Sequence, residues 1–158
     1  MITLSQIATG LVAAEHVYIL VLEMFLWTTP RGLRTFKLDK DFAEKSKALA
    51  ANQGLYNGFL AAGLAWSLLH PVPVFAQELR LFFLSNVVVA GAYGGATATR
   101  RIWTVQMMPG LVSFALTYFF LVGAWAPLLL SRNFTLWSHE MNSHVEDRHV
   151  FDVLKIIL

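Results

Sequence analysis

Four apolar stretches, each about the length of a membrane-spanning helix, fill most of this chain, and each carries polar side chains where hydrocarbon would lie. They run over about 7–28, 48–69, 79–99 and 103–130; roughly 20 apolar residues cross a bilayer as helix. The first contains Glu15, His16 and Glu23. A carboxylate at the bilayer centre costs on the order of 2.5 kcal/mol or more. Three ionisable groups in one span therefore point to a buried site with partners on neighbouring helices. The expected fold is all-α: an antiparallel four-helix transmembrane bundle over 1–131.

Composition agrees. Of the 158 residues, 56% are hydrophobic and the mean hydropathy is +0.56, whereas a soluble domain is usually nearer 45–50% apolar. Cysteine is absent, which excludes disulfides, thiolate nucleophiles and Cys-ligated metals. Met1 to Gln6 carry no Lys or Arg, so a cleaved signal peptide is not expected. From Arg132 onward the chain is a polar tail, of a kind compatible with disorder, ending in an apolar segment too short to span. His139, His144 and His149 recur every five residues and share no helical face. His139-Glu140 lacks the second histidine of a zinc-protease motif, since Ser143 stands there. No metal or other cofactor is expected. Asn133-Phe134-Thr135 fits a glycosylation acceptor.

Charge placement sets an orientation. Arg31, Arg34, Lys37, Lys40, Lys45 and Lys47 lie between the first two stretches, and Arg100 and Arg101 between the last two. Lys/Arg excess marks the cytoplasmic side, so both basic connections are expected inside and both termini outside. The basic residues report topology, and the bilayer rather than nucleic acid is the expected partner. The host membrane would be the endoplasmic reticulum in a eukaryote or the plasma membrane in a bacterium. Pro30 is expected to close the first helix, and Pro71 with Pro73 the second. Gly54, Gly58 and Ala62, and Gly91 with Gly95, have the small-residue spacing that lets helices approach closely.

Helical geometry groups the polar residues. Offsets of seven and eleven return to within about 20° of one direction. His16, Glu23 and Trp27 have those offsets, as do Asn86, Tyr93 and Thr97, and Gln106, Ser113 and Thr117. Asn52, Gln53, Tyr56 and Asn57 occupy one arc of about 140°, with Gly54 and Gly58 on the other side. Pointed inward, the stripes would form one polar chamber. Glu15, His16, Glu23 and Tyr56 are its candidate catalytic residues. Asn52, Gln53, Asn57, Asn86, Tyr93 and Gln106 are its candidate substrate-binding residues. A buried Asn or Gln between membrane helices also serves as inter-helical glue, but glue accounts poorly for two carboxyls with only His16 as a basic partner. A carboxyl in a desolvated site can act as general acid near neutral pH.

The strings Glu15-His16, Glu23-Met24-Phe25-Leu26-Trp27-Thr28-Thr29-Pro30 and Ala51-Asn52-Gln53-Gly54-Leu55-Tyr56-Asn57-Gly58 resemble a known family. It is the small four-helix integral membrane family catalogued as domain of unknown function 1304. Gly91-Ala92-Tyr93-Gly94 and Gln106 near Pro109 fit the same pattern, and the resemblance covers about 1–125. It implies an all-helical membrane protein. Fungal relatives are associated with polyketide secondary metabolism and sometimes labelled hydrolases, which implies an epoxide-bearing, lipophilic substrate.

The expected function is thus a membrane-embedded, cofactor-free enzyme of hydrolase or isomerase type. It would open, hydrolyse or isomerise an epoxide on a lipophilic small molecule, with Glu23 and Glu15 as acid and base, His16 relaying a proton and Tyr56 polarising the oxygen. The alternatives are a proton-coupled small-molecule transporter, which would work as a homodimer, and a structural or partner-binding membrane protein.

Overall fold

A computed structural model of the protein describes residues 2–129. The tail over 132–158, the Asn133 acceptor and the histidines at 139, 144 and 149 lie outside the described residues. Contacts divide the chain into Met1–Phe119 and Phe120–Leu158; the packing below is that of the first unit. Within the second, the described residues continue α5 as far as Leu129.

The described residues are helical, without a strand. The helices are α1 (Leu4–Met24), α2 (Pro30–Phe36), α3 (Lys40–Leu69) and α4 (Pro73–Thr97), then a π-helical turn (Trp103–Met107) running into α5 (Met108–Leu129). Three segments are long and apolar enough to cross a membrane: Leu4–Met24, Pro73–Thr97 and Trp103–Gly123. α3 has 30 residues but is more polar, because it includes the Lys40–Lys47 stretch and Asn52, Gln53 and Asn57. Leu11, Phe59, Phe82 and Val89 are exposed on the outer helix faces, and extended exposed apolar surface is compatible with a membrane protein.

Capping chemistry sets the boundaries and moves several from where the sequence put them. Thr3 and Gln6 form a reciprocal capping box that starts α1, with Thr3 N–H donating to Gln6 Oε1 at 2.8 Å. Pro30 does not close α1, which already ends at Met24; it opens α2 at the first helical position, with Thr29 as N-cap. The fixed φ and missing N–H of proline suit that position. Asp39 Oδ1 accepts from Phe42 N at 2.8 Å to start α3. The expected loop from Arg31 to Lys47 is therefore helical except for the short connection at Lys37–Asp39. Pro73 likewise opens α4, six residues before the third apolar stretch was expected to begin.

α1 packs along α3, α3 along α4, and α4 against the π-helical turn. Val12, Leu64, Leu84 and Val87 form the buried centre, with Ala13, Leu60, Phe83 and Phe114 around them. Close approach depends on glycine at two crossings. A Cβ on Gly54 would lie 2.7 Å from Met24 Cγ and 3.0 Å from Glu23 Cβ. One on Gly91 would lie 2.9 Å from the Cα of Met107. Real carbon atoms do not approach so closely without displacement, so these glycines set how near the helices lie.

Candidate functional site

Beginning at its first turn, one face of α1 buries Ser5, Thr9, Val12 and His16 in turn. His16 is fully buried. Its Nδ1 lies 2.8 Å from Val12 O, and because a carbonyl only accepts, this geometry puts the proton on Nδ1. Nε2 is then an acceptor, buried and without a partner among the described residues. Buried polar atoms are nearly always paired, so a bare imidazole nitrogen in a core is a place to look for chemistry.

Two turns further on, Glu23 meets α3. Asn57 Nδ2 donates to Glu23 Oε2 at 2.8 Å, and also lies 3.3 Å from Gln53 O. Gly54, one turn before Asn57, lets the α3 backbone come close enough for that short amide to reach. Asn57 is the one member of the expected Asn52–Asn57 arc that is buried. It stands at the edge of the arc, on the Gly54 side that faces α1.

Glu15 points elsewhere. It lines a cleft of about 340 Å³ with Ala8, Leu11, Val12, Pro109 and Val112, between α1 and the start of α5. Except for the carboxyl the walls are apolar. Glu15 Oε1 is buried there with no hydrogen-bond partner among the described residues. Eight residues separate Glu15 from Glu23, roughly 12 Å along a helix, so the two carboxyls serve different places rather than one reacting centre.

A second polar cluster went unrecognised in the sequence. Ser5 Oγ lies 2.8 Å from Thr117 Oγ1, and Thr9 Oγ1 lies 3.0 Å from Ser113 Oγ, tying α1 to α5. Arg80 of α4 is 5% exposed. It donates to Ser5 Oγ at 3.3 Å and to Ser67 O of α3 at 3.4 Å, and its Nε has no partner among the described residues. Arg80 escapes notice in the sequence because the third apolar stretch is expected to begin at residue 79, which puts Arg80 at a helix end rather than two turns inside one. Pro73 at the first position of a helix, with Arg80 two turns on, is the signal that could have found it.

The remaining expected site residues do not converge. Asn52, Gln53 and Tyr56 are exposed on α3, where Tyr56 meets Phe59 edge-on with ring centroids 5.9 Å apart. Asn86 and Tyr93 are exposed on α4. Gln106 is half-buried within the π-helical turn. Among the described residues the four stripes do not close into one chamber. What the described residues offer instead is Glu15 in an apolar cleft, His16 sealed beside the core, and Glu23 paired with Asn57.

Comparison with known proteins agrees over the region that holds these residues. The model of the family described as "Protein of unknown function (DUF1304)" matches residues 10–118. An uncharacterized protein YpaA of Lactococcus lactis subsp. lactis is 32% identical over 109 residues, covering 67% of this chain and 89% of that protein. No solved structure matches. The chain belongs to the DUF1304 family of proteins of unknown function.

Proposed function

We propose that this protein is a membrane-embedded enzyme that performs acid–base chemistry on a lipophilic small molecule, with epoxide hydration or isomerisation as the reaction type. One observation carries the reading: Glu15 Oε1 is buried at an apolar cleft and has no protein partner among the described residues. A carboxyl kept for structure would be paired, as Glu23 is with Asn57. One left bare in an apolar cleft of small-molecule size is suited to meet a ligand's oxygen.

In hydration, protonated Glu15 gives its proton to the ring oxygen as the C–O bond breaks. Water adds to the carbon, and the water's proton returns to the Glu15 carboxylate. The balance is one water added, with the carboxyl regenerated and no redox partner. Proton loss from a neighbouring carbon to the same carboxylate would give the isomer instead. His16, the next residue along α1, is sealed beside the core and does not line the cleft, so the proton is handled by Glu15 itself.

The bundle is read as a four-helix membrane domain, with α3 as a fourth crossing beside α1, α4 and α5. Arg80, Ser5, Ser67 and Thr117, one from each helix, support that arrangement through their hydrogen bonds. The basic α2 region and Arg100–Arg101 are placed on the cytoplasmic side, in the endoplasmic reticulum or a bacterial plasma membrane according to host. The test is turnover by purified protein in lipid nanodiscs, offered a panel of long-chain 1,2-epoxyalkanes and aryl epoxides. Formation of diol or carbonyl isomer, lost in Glu15→Gln, is the expected result. A fully folded protein that turns over the panel equally well as Glu15→Gln overturns the assignment.

A further inference from the structure

α4 has two faces. Ala76, Arg80, Leu84, Val87, Gly91 and Gly95 are buried against the rest of the chain. Phe82, Asn86, Val89 and Tyr93 fall within about 60° of arc on the opposite side, and all are exposed. Asn86 stands 13 residues after Pro73 and 11 before Thr97, at the middle of a helix long and apolar enough to cross a bilayer. A primary amide has two N–H donors and a carbonyl with two lone pairs. Asn86 uses one of these, donating from Nδ2 to Phe82 O at 2.8 Å. The rest would face hydrocarbon, where an unpaired amide is costly and where polar side chains are normally turned toward protein.

We infer that this face of α4 is an interface between two copies of the chain, with Asn86 at its centre. The amide itself argues for a second copy rather than a foreign helix. In a two-fold dimer whose axis lies along the membrane normal, the two α4 helices run parallel and place Asn86 opposite Asn86 at equal depth. Each amide then donates to the other's carbonyl. An asparagine is self-complementary in a way that a lone carboxylate or ammonium is not. Ala90, small and at the edge of the stripe, allows close approach. Phe82 and Tyr93 would pack above and below the amide pair. The inference rests on α4 crossing the bilayer and is independent of the chemistry proposed at Glu15.

Because the chain contains no cysteine, single-cysteine variants test it cleanly. The full chain is reconstituted in phosphatidylcholine liposomes and oxidised with copper phenanthroline. Cysteine at 86, 89 or 93 should give a disulfide-linked species of twice the mass; cysteine at 11 or 59, exposed on α1 and α3, should not. In a parallel energy-transfer measurement, with dyes at Lys47→Cys, Asn86→Val should weaken self-association about tenfold, while Asn86→Gln retains it. A monomer at all lipid dilutions, cross-links through 11 or 59 instead, or an unchanged Asn86→Val association would each overturn the interface.

Discussion

Asn57 and Glu23, 34 positions apart in sequence, are joined side chain to side chain at 2.8 Å, and the bond crosses from α3 to α1 where Gly54 brings the two backbones together. The amide and the glycine act as one device: without the close approach the short Asn side chain would not span the gap. Replacing Asn57 by Leu leaves Glu23 Oε2 without that donor. The expected loss is about 1–3 kcal/mol, measured by unfolding in mixed micelles. Pairing Asn57→Leu with Glu23→Leu should recover part of it, with a coupling of about 1 kcal/mol. Additive single and double variants would show that the bond does not hold the helices.

The glycines of α1 and α3 should respond in opposite senses to the same change. Gly54→Ala places a methyl 2.7 Å from Met24 Cγ and should cost about 1–3 kcal/mol as an overpacked contact. Gly10→Ala meets only Leu68 Cδ1 at 3.9 Å, and should gain the fraction of a kcal/mol by which Ala exceeds Gly in helices. Thermal unfolding of the two variants side by side checks this. Equal effects would mean that Gly54 is not a contact point.

Arg80 presents the reverse case. Its guanidinium is buried, its two bonds are long at 3.3 and 3.4 Å, and no ion pair to it is found among the described residues. Burial of such a cation costs more than two weak bonds return. Arg80→Met should leave thermal stability unchanged or raise it. A fall of more than about 1 kcal/mol would assign the guanidinium a structural weight that its geometry does not support.

Orientation is open to direct labelling. With Lys40→Cys, at the start of α3, a membrane-impermeant maleimide should react in inside-out vesicles and not in right-side-out vesicles or intact cells. The opposite pattern would reverse the topology argued from Arg31, Arg34, Lys37, Arg100 and Arg101.

The sequence revealed which residues share a helix face but not what each face meets. Glu23 does lie toward α3, where Asn57 meets it, and Asn86, Tyr93 and Thr97 do lie together, yet those three are exposed. A period of 3.6 residues fixes relative angle and is silent about the neighbour. The same spacing places Gln106 on the stripe of Ser113 and Thr117. The π-helical turn Trp103–Met107 has a wider repeat, so the register breaks there; Ser113 and Thr117 are buried while Gln106 is only partly so. Arg80 was lost to a different ambiguity: proline ends one helix and begins another with the same letter, and only the cap at Val72–Pro73 resolves it. Ser5 and Thr9 gave no signal because small hydroxyls are common in membrane helices, and their partners Thr117 and Ser113 are more than 100 positions away.

Acid–base chemistry at Glu15 on a lipophilic molecule is the activity proposed for this protein. Its most direct test is untargeted metabolite profiling of cells that differ only at residue 15, Glu against Gln, with both proteins confirmed folded and present in the membrane in equal amount. Loss of general acid–base catalysis is worth roughly 10²–10⁴-fold in rate. The Gln cells should therefore accumulate a lipophilic precursor that differs from the depleted product by one water or by isomerisation alone. Identical profiles, or one compound unchanged in formula and merely redistributed across the membrane, would contradict the claim.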